Sequence, residues 1–336
     1  MSSKLGIKGK KMPAFVGPLL AVVLLSVILT IVSAQFLTLD NWMNILRQTA
    51  INAFVSCGML MVLLTGGIDL SVGPVVALSS CTMGVMVQHG VKNPFVLILA
   101  SLIVGFLCGG INGLLFTKLK LPHPFVSTMG TRMIYRGLAL FITGAAPIAG
   151  FPAAVMFLGY QNIGPIKFPV CFVMVVVVFA IMGVFLNRTA LGRKIYSVGG
   201  NKEAARLSGI NVPATLNFTY IMSGIMSAIA GIVLVGRVGT ALPLAGETYD
   251  MDAIAACVIG GASFSGGKGT ISGTLMGALL IAVIRNGLNL LGAQTDMQYI
   301  VIGFVIVAAV FVDVVRGNAE ARSRRLAMAK KVAEEA

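Results

Sequence analysis

The chain has 336 residues, 57% of them apolar and only 11% charged, with a mean hydropathy of +0.95. A water-facing surface needs about 25% charged residues, so these proportions exclude an ordinary soluble domain and place the chain in a bilayer. The net charge of +14 sits in short loops and at the two ends, as expected where charge fixes membrane orientation, and no basic stripe alternates with aromatics to suggest a nucleic-acid partner.

Apolar runs long enough to cross about 30 Å of hydrocarbon occur at 13–34, 95–117, 125–144, 169–186, 216–236 and 297–315. Two longer regions, 49–87 and 252–285, each hold a pair of spans broken by glycine clusters, GGIDLSVGP at 66–74 and GGASFSGGKG at 260–269. The fold expected is an all-α polytopic membrane protein of about ten transmembrane helices with two Gly-interrupted segments. Its divisions are a cytoplasmic N-terminus at 1–12, a transmembrane domain at 13–315 with its longest inner loop at 187–215, and a cytoplasmic tail at 316–336. The stretch 74–87 is short for a crossing and is read as tilted, buried or partly re-entrant. No small-residue cleavage site follows the first apolar run, which is therefore read as an uncleaved helix.

Charge tests that count. With the N-terminus inside, 18 of the 25 basic residues fall on inner segments. They are Lys4, Lys8, Lys10 and Lys11, Lys118 and Lys120, the basic residues of 188–206, Lys268, and those of the tail. The outer loops keep Arg47, Lys92, Lys167, Arg237 and Arg285, beside Asp40, Glu247, Asp250, Asp252 and Asp296. An even number of spans with both ends in the cytoplasm fits this asymmetry.

The halves echo one another. Gly66, Gly67, Ser71 and Gly73 align without gaps on Gly260, Gly261, Ser265 and Gly267, and Asn112-Gly113-Leu114 resembles Asn286-Gly287-Leu288 at a different offset. Paired, glycine-interrupted segments in two halves point to a translocation site in a transporter built from repeats.

Enzymatic signatures are missing. Gly267-Lys268 looks like the end of a phosphate loop, but Ala262 replaces the first glycine and Gly269 stands where Ser or Thr belongs. A dinucleotide pattern starting at Gly267 and Gly269 fails at Ser272. Cys57, Cys81, Cys108, Cys171 and Cys257 lie in apolar stretches without a C-x-x-C pair, and only His89 and His123 accompany them, so no metal or other cofactor is expected. Ionisable groups at membrane depth are few: Asp69, then Arg132 and Arg136 on one helix face, with Asp313 near the inner end of the last helix. No acid on the helix of the two arginines pairs with them, which argues against a proton relay.

The inner loop carries helix signals: Asn201 as cap, Glu203 in the first turn, Gly209 as terminator, Ala204 and Ala205 for close approach to a partner, and Arg206 spaced to pair with Glu203. The sequon at Asn187 falls on this inner loop and should stay unused.

Here the sequence resembles a known family. GGNKEAARLSGINV at 199–212 resembles the cytoplasmic coupling loop of the permease subunits of bacterial monosaccharide ABC importers, the ribose, galactose, arabinose and xylose type within the branched-chain amino-acid and sugar permease superfamily. GGIDLSVG at 66–73, DAIAACVIGGASFSGGKGT at 252–270 and NGLNLLG at 286–292 resemble further hallmarks in the expected order, over about 36–313.

The resemblance implies that Asn201, Glu203, Ala204, Ala205, Arg206 and Gly209 form a helix docking on a separate ABC ATPase subunit. It implies that Gly66, Asp69, Ser71 and Gly73, with Asn112, and Gly260, Gly261 and Ser265 in the second half, flank the translocation pathway. Implied partners are a second permease copy, that ATPase and a periplasmic sugar-binding protein. The setting is the bacterial inner membrane and the cargo a monosaccharide. Asn52, Asn217, Tyr135 and Phe218 are further lining candidates. A permease for a nucleoside or other furanosyl solute, and an ion-coupled secondary carrier, stand as alternatives.

Overall fold

The computed structural model describes residues 15–119, 121 and 123–335, with side chains described only as far as residue 315. The basic residues at 4–11 and Lys120, the segment 1–12 expected in the cytoplasm, the start of the expected first span and the side chains of the tail therefore lie outside the described part.

Helices dominate it. In chain order they are α1 (Val16–Val32), α2 (Leu39–Leu64), α3 (Val72–Gln88), α4 (Pro94–Thr117), α5 (Pro124–Thr143), α6 (Ala153–Tyr160), α7 (Val170–Arg188), α8 (Ala190–Gly200), α9 (Lys202–Leu207), α10 (Val212–Val238), α11 (Tyr249–Ile259), α12 (Ile271–Leu290) and α13 (Thr295–Glu335). Four two-residue strands, β1 (Ile148–Ala149), β2 (Asn162–Ile163), β3 (Phe168–Pro169) and β4 (Thr240–Ala241), pair antiparallel as β1–β4 and β2–β3.

Local signals explain the starts. Thr38, Asn93, Thr189, Asn201, Asn211 and Thr270 each accept an amide from the first turn of the helix that follows. Pro94, Pro124 and Pro213 sit in the first two helical positions, where a missing N–H costs nothing.

Among the described residues, six helices are long and apolar enough to cross a membrane: α2, α4, α7, α10, α12 and α13 up to Val315. The apolar helices α1 and α3 are shorter. Helix α5 has the length but carries Arg132, Arg136 and a row of hydroxyls, and α11, at about 16 Å, is too short to cross by itself. Three expected boundaries shift. Helix α2 starts at Leu39, ten residues before the expected span; the inner loop is two helices, α8 and α9; and α13 runs unbroken through the expected boundary at residue 315.

Helix α10 is the hub, packing on α4, α2, α3 and α6, while α2 is buried over most of its length and α13 is peripheral. Lipid is as apolar as leucine, so helix association here depends on close backbone approach. Gly105, Gly109 and Gly113 lie four apart on α4 and meet Gly224, Tyr220 and Asn217 of α10, the first two backbone against backbone and the third against the Asn217 side chain as well. A Cβ at Gly109 would overlap the carbonyl of Tyr220, whereas one at Gly110 would meet only the Ile221 side chain at 3.9 Å.

Gly109→Ala is therefore expected to lower stability by about 1–3 kcal/mol or more, and Gly110→Ala to be neutral. Thermal denaturation of the two purified variants in detergent makes the comparison.

Candidate functional site

The first break follows from how α2 ends. Gly66 adopts φ +72°, donating to the Leu63 carbonyl (2.9 Å), and Gly67 donates to that of Val62 (3.0 Å), a left-handed closure open to glycine. The chain then enters the bundle and presents Asp69, 1% exposed. Its Oδ1 accepts from Ser71 N (3.0 Å) and Ser71 Oγ (2.7 Å), and its Oδ2 from Ser223 Oγ of α10 (2.8 Å). Asn112 of α4 donates to Ser71 Oγ (2.7 Å) and reaches Asp69 Oδ1 (3.4 Å). The Tyr135 hydroxyl of α5 is 3.0 Å from the Cys108 carbonyl and 3.3 Å from Asn112 Oδ1.

The two bonds from Ser71 are local to the break, and Ser71, the N-cap residue of α3, makes no side-chain cap. Those from Ser223 and Asn112 tie the break to α10 and α4, and no cation pairs with Asp69 among the described residues. Asp69, Ser71 and Asn112 thus meet in one buried cluster. Ser223 completes the cluster, and nothing in its spacing within an apolar helix singles it out.

The second break repeats the closure one residue out of the expected register. Helix α11 ends with Gly261 at φ +89°, Gly261 N donating to Val258 O (2.9 Å) and Ala262 N to Cys257 O (2.9 Å). Gly261, not Gly260, is therefore the counterpart of Gly66. An ungapped alignment matches glycine with glycine, but the helix ends fix the equivalence. Gly260 instead lies against Gly273 of α12, Ser265 is exposed with its backbone beside Gly66, and Gly73 abuts Gly246. Asn286, the echo of Asn112, exchanges amide hydrogen bonds with Asn41 (2.8 and 3.0 Å).

That contact of Gly73 with Gly246 shows the α10–α11 connection folding back into the bundle. Arg136 Nη1 donates to the carbonyls of Pro243 (2.6 Å) and Ala245 (2.8 Å), and Arg132 pairs with Asp250. The arginines find their acid and acceptors across the bundle rather than on their own helix. Asp250 and Asp252, expected in an outer loop, are buried in the first turn of α11. Asn217 accepts from Thr117 Oγ1 (3.0 Å) and Phe218 packs on Phe185 with centroids 5.7 Å apart, so each joins neighbouring helices.

Three glycine pairs meet at the α9 end of the bundle. Gly267 N donates to the carbonyl of Leu64, the last residue of α2 (2.9 Å). A Cβ on Gly199 of α8 would overlap that same carbonyl oxygen, and one on Gly266 would meet Gly66 N at 2.8 Å and Gly199 O at 2.9 Å. Tyr196 of α8 donates to Gly269 O (2.9 Å), and Asp313 Oδ2 accepts from Ser263 Oγ (3.3 Å) and Phe264 N (3.4 Å).

Helix α9 projects from this junction. Asn201 Oδ1 accepts from Ala204 N (3.0 Å), Gly209 turns left-handed at φ +80°, and Glu203 pairs with Arg206 on the surface (2.9 Å). Leu207 is 78% exposed and Ala204 is exposed. Ala205 is buried against Val198 and Leu216 and anchors the helix to its own chain.

Comparison with known proteins matches the chain to a family. The family described as "Branched-chain amino acid transport system / permease component" covers residues 41–310. The chain is similar to the ribose import permease protein RbsC of Bacillus subtilis (strain 168), with 44% identity over 300 residues, 88% of this chain and 92% of the relative. It is 39% identical over 278 residues to the D-allose transport system permease protein AlsC of Escherichia coli (strain K12), 83% of this chain and 84% of the relative. The galactose/methyl galactoside import permease protein MglC of Haemophilus influenzae shares 35% identity over 308 residues, 86% and 91% of the two chains. No solved structure matches it significantly.

Asp69→Ala strands the Ser71 and Ser223 donors inside the bundle, at about 1–3 kcal/mol each. It is expected to lower thermal stability more than Ser223→Ala, which leaves the carboxylate its bonds from Ser71. Paired melting curves of the two variants check the order.

Proposed function

The chain belongs to the branched-chain amino acid transport system / permease component family, and on that footing we propose that it is the membrane-spanning subunit of an ATP-driven monosaccharide importer. Its relatives named for ribose, D-allose and galactose support a sugar cargo. The chain sits in the bacterial cytoplasmic membrane, crosses it about ten times with both ends inside, pairs with a second copy and receives sugar from a periplasmic binding protein. In this count α5 and α11 cross because their polar groups are satisfied within the bundle, α11 together with the connections that flank it. ATP is hydrolysed on a separate subunit, so the chain acts as a conduit and not as an enzyme.

The observation that carries the reading is the placement of α9. A capped, rigid helix with Leu207, Glu203 and Arg206 outward supplies a docking ridge, and Ala205 fixes it from below. Behind it, α8 touches both glycine breaks through the backbones of Gly199 and Gly200. Closure of two ATPase subunits would move α9, and that movement would reach the segment bearing Asp69 without passing through a flexible side chain. Such a lever converts a small displacement into a change of discrete packing.

Copurification with the ATPase encoded beside this chain is expected for the wild type and is expected to weaken at least tenfold in Glu203→Ala/Arg206→Ala. A wild type that binds no ATPase yet takes up sugar under an ion gradient would replace this reading with a secondary carrier, for which Asp69 would be the coupling group. Gly199→Ala is expected to retain ATPase binding and ATP hydrolysis while losing sugar uptake, measured together in proteoliposomes.

A further inference from the structure

A second polar region lies apart from both Asp69 and α9. It is a cleft of about 260 Å³ at the Arg237 end of α10, opposite α9, between α2, α11, α12 and the start of α13. Pockets for drug-sized ligands run to roughly 300–1,000 Å³, so this space suits a smaller solute.

Its walls are rich in amides. Gln48, Asn52, Asn289 and Gln298 line it beside the Tyr249 ring and the aliphatic Ile51 and Ile281. The one acid, Asp252, is already answered: Arg285 donates to it through Nε (3.1 Å) and Nη2 (2.8 and 2.9 Å) and to Thr248 Oγ1 (3.0 Å). A cleft whose carboxylate is neutralised has no need of a cationic guest. Amides both donate and accept, as sugar hydroxyls do, and flat apolar walls suit the C–H faces of a pyranose or furanose ring.

Asn52 brings an unsatisfied amide to the cleft wall. The residue is 8% exposed, and its Nδ2 has no acceptor among the described residues, although Oδ1 accepts from Ser56 Oγ (3.3 Å). Whichever way the amide is turned, one end remains unpartnered, and a buried orphan of this kind is costly unless something else satisfies it. Gln48, Asn52 and Ser56 follow one another at four-residue spacing along one face of α2, leading inward. The cleft thus opens beside a short file of polar groups on α2.

We propose that this cleft is a low-affinity subsite for a neutral monosaccharide within the permease itself, with the Asn52 amide as its recognition group. The proposal rests on the reading of the chain as a sugar permease and adds where the sugar is held between the binding protein and the Asp69 segment.

The test uses the assembled transporter in proteoliposomes and Asn52→Leu. Asn52→Leu removes the orphaned amide but also the acceptor of the buried Ser56 Oγ, so the melting temperature is read beside Asn52→Leu/Ser56→Ala, which removes both partners of that bond and should hold or rise. Uptake of D-ribose, D-allose or D-galactose, whichever the wild type carries, is expected to fall at least tenfold. Saturation-transfer NMR on the permease alone is expected to show a weak signal from the same sugar that Asn52→Leu removes. If the wild type transports the sugar and Asn52→Leu matches it in uptake and in NMR signal, the subsite is overturned while the permease reading stands. If D-ribose 5-phosphate displaces D-ribose, Arg237 makes the cleft an anion site and the neutral-sugar assignment falls. If the wild type carries none of the sugars, the sugar-permease reading on which the subsite rests fails instead.

Discussion

A single backbone hydrogen bond, from Gly267 N to the carbonyl of Leu64 at 2.9 Å, joins the two places where this bundle interrupts its helices. Within a bilayer an interrupted helix exposes amides and carbonyls that lipid does not satisfy, so each break must find its partners inside the protein. The glycine closures at Gly66 and Gly261 satisfy the last turns of α2 and α11, and further groups are met within the second break itself, by α8, and by Thr128, Tyr220 and Asp313 of neighbouring helices. That requirement draws the two halves and the α8–α9 pair to one point.

The side chains around Asp69 answer the same constraint with different chemistry. A carboxylate without a cation partner depends on donors from every side, and serine hydroxyls, one amide N–H and the Asn112 carboxamide supply them. Those donors come from the residue that opens α3, from α4 and from α10, so the geometry of the cluster reports the relative position of the break and two helices. Arg132 and Arg136 do comparable work for the α10–α11 connection, holding it folded inward through Asp250 and two carbonyls. Polar groups in this molecule thus fix irregular backbone in place, while the apolar helix faces are left to lipid.

Much of this was legible in the sequence. Hydropathy locates the long helices, and glycine clusters at 66–74 and 260–269 mark the interruptions because no other residue repeatedly adopts positive φ. Asn201, Glu203 and Gly209 announce α9 through local rules alone. What stayed hidden depends on contacts distant in sequence. The partner of Arg132 lies on α11, Ser223 looks like any small residue of a transmembrane helix, and the off-by-one match of Gly66 to Gly261 follows from where two helices end. Helix α8 was obscured because its buried face, Ile195 and Val198, occupies a short stretch between basic residues.

The meeting of Gly199, Gly266 and Gly267 has a consequence for genetics. Most packing defects can be suppressed by trimming the residue opposite, but here the opposite surface is main chain, and main chain offers nothing to trim. Suppressors of a lesion at Gly199 should therefore avoid its contact partners and arise where the 260–270 segment is tethered, at Tyr196 or Asp313, since loosening those bonds lets whole elements shift to make room. The junction would then appear in a suppressor screen as a blank surrounded by a ring of compensating sites.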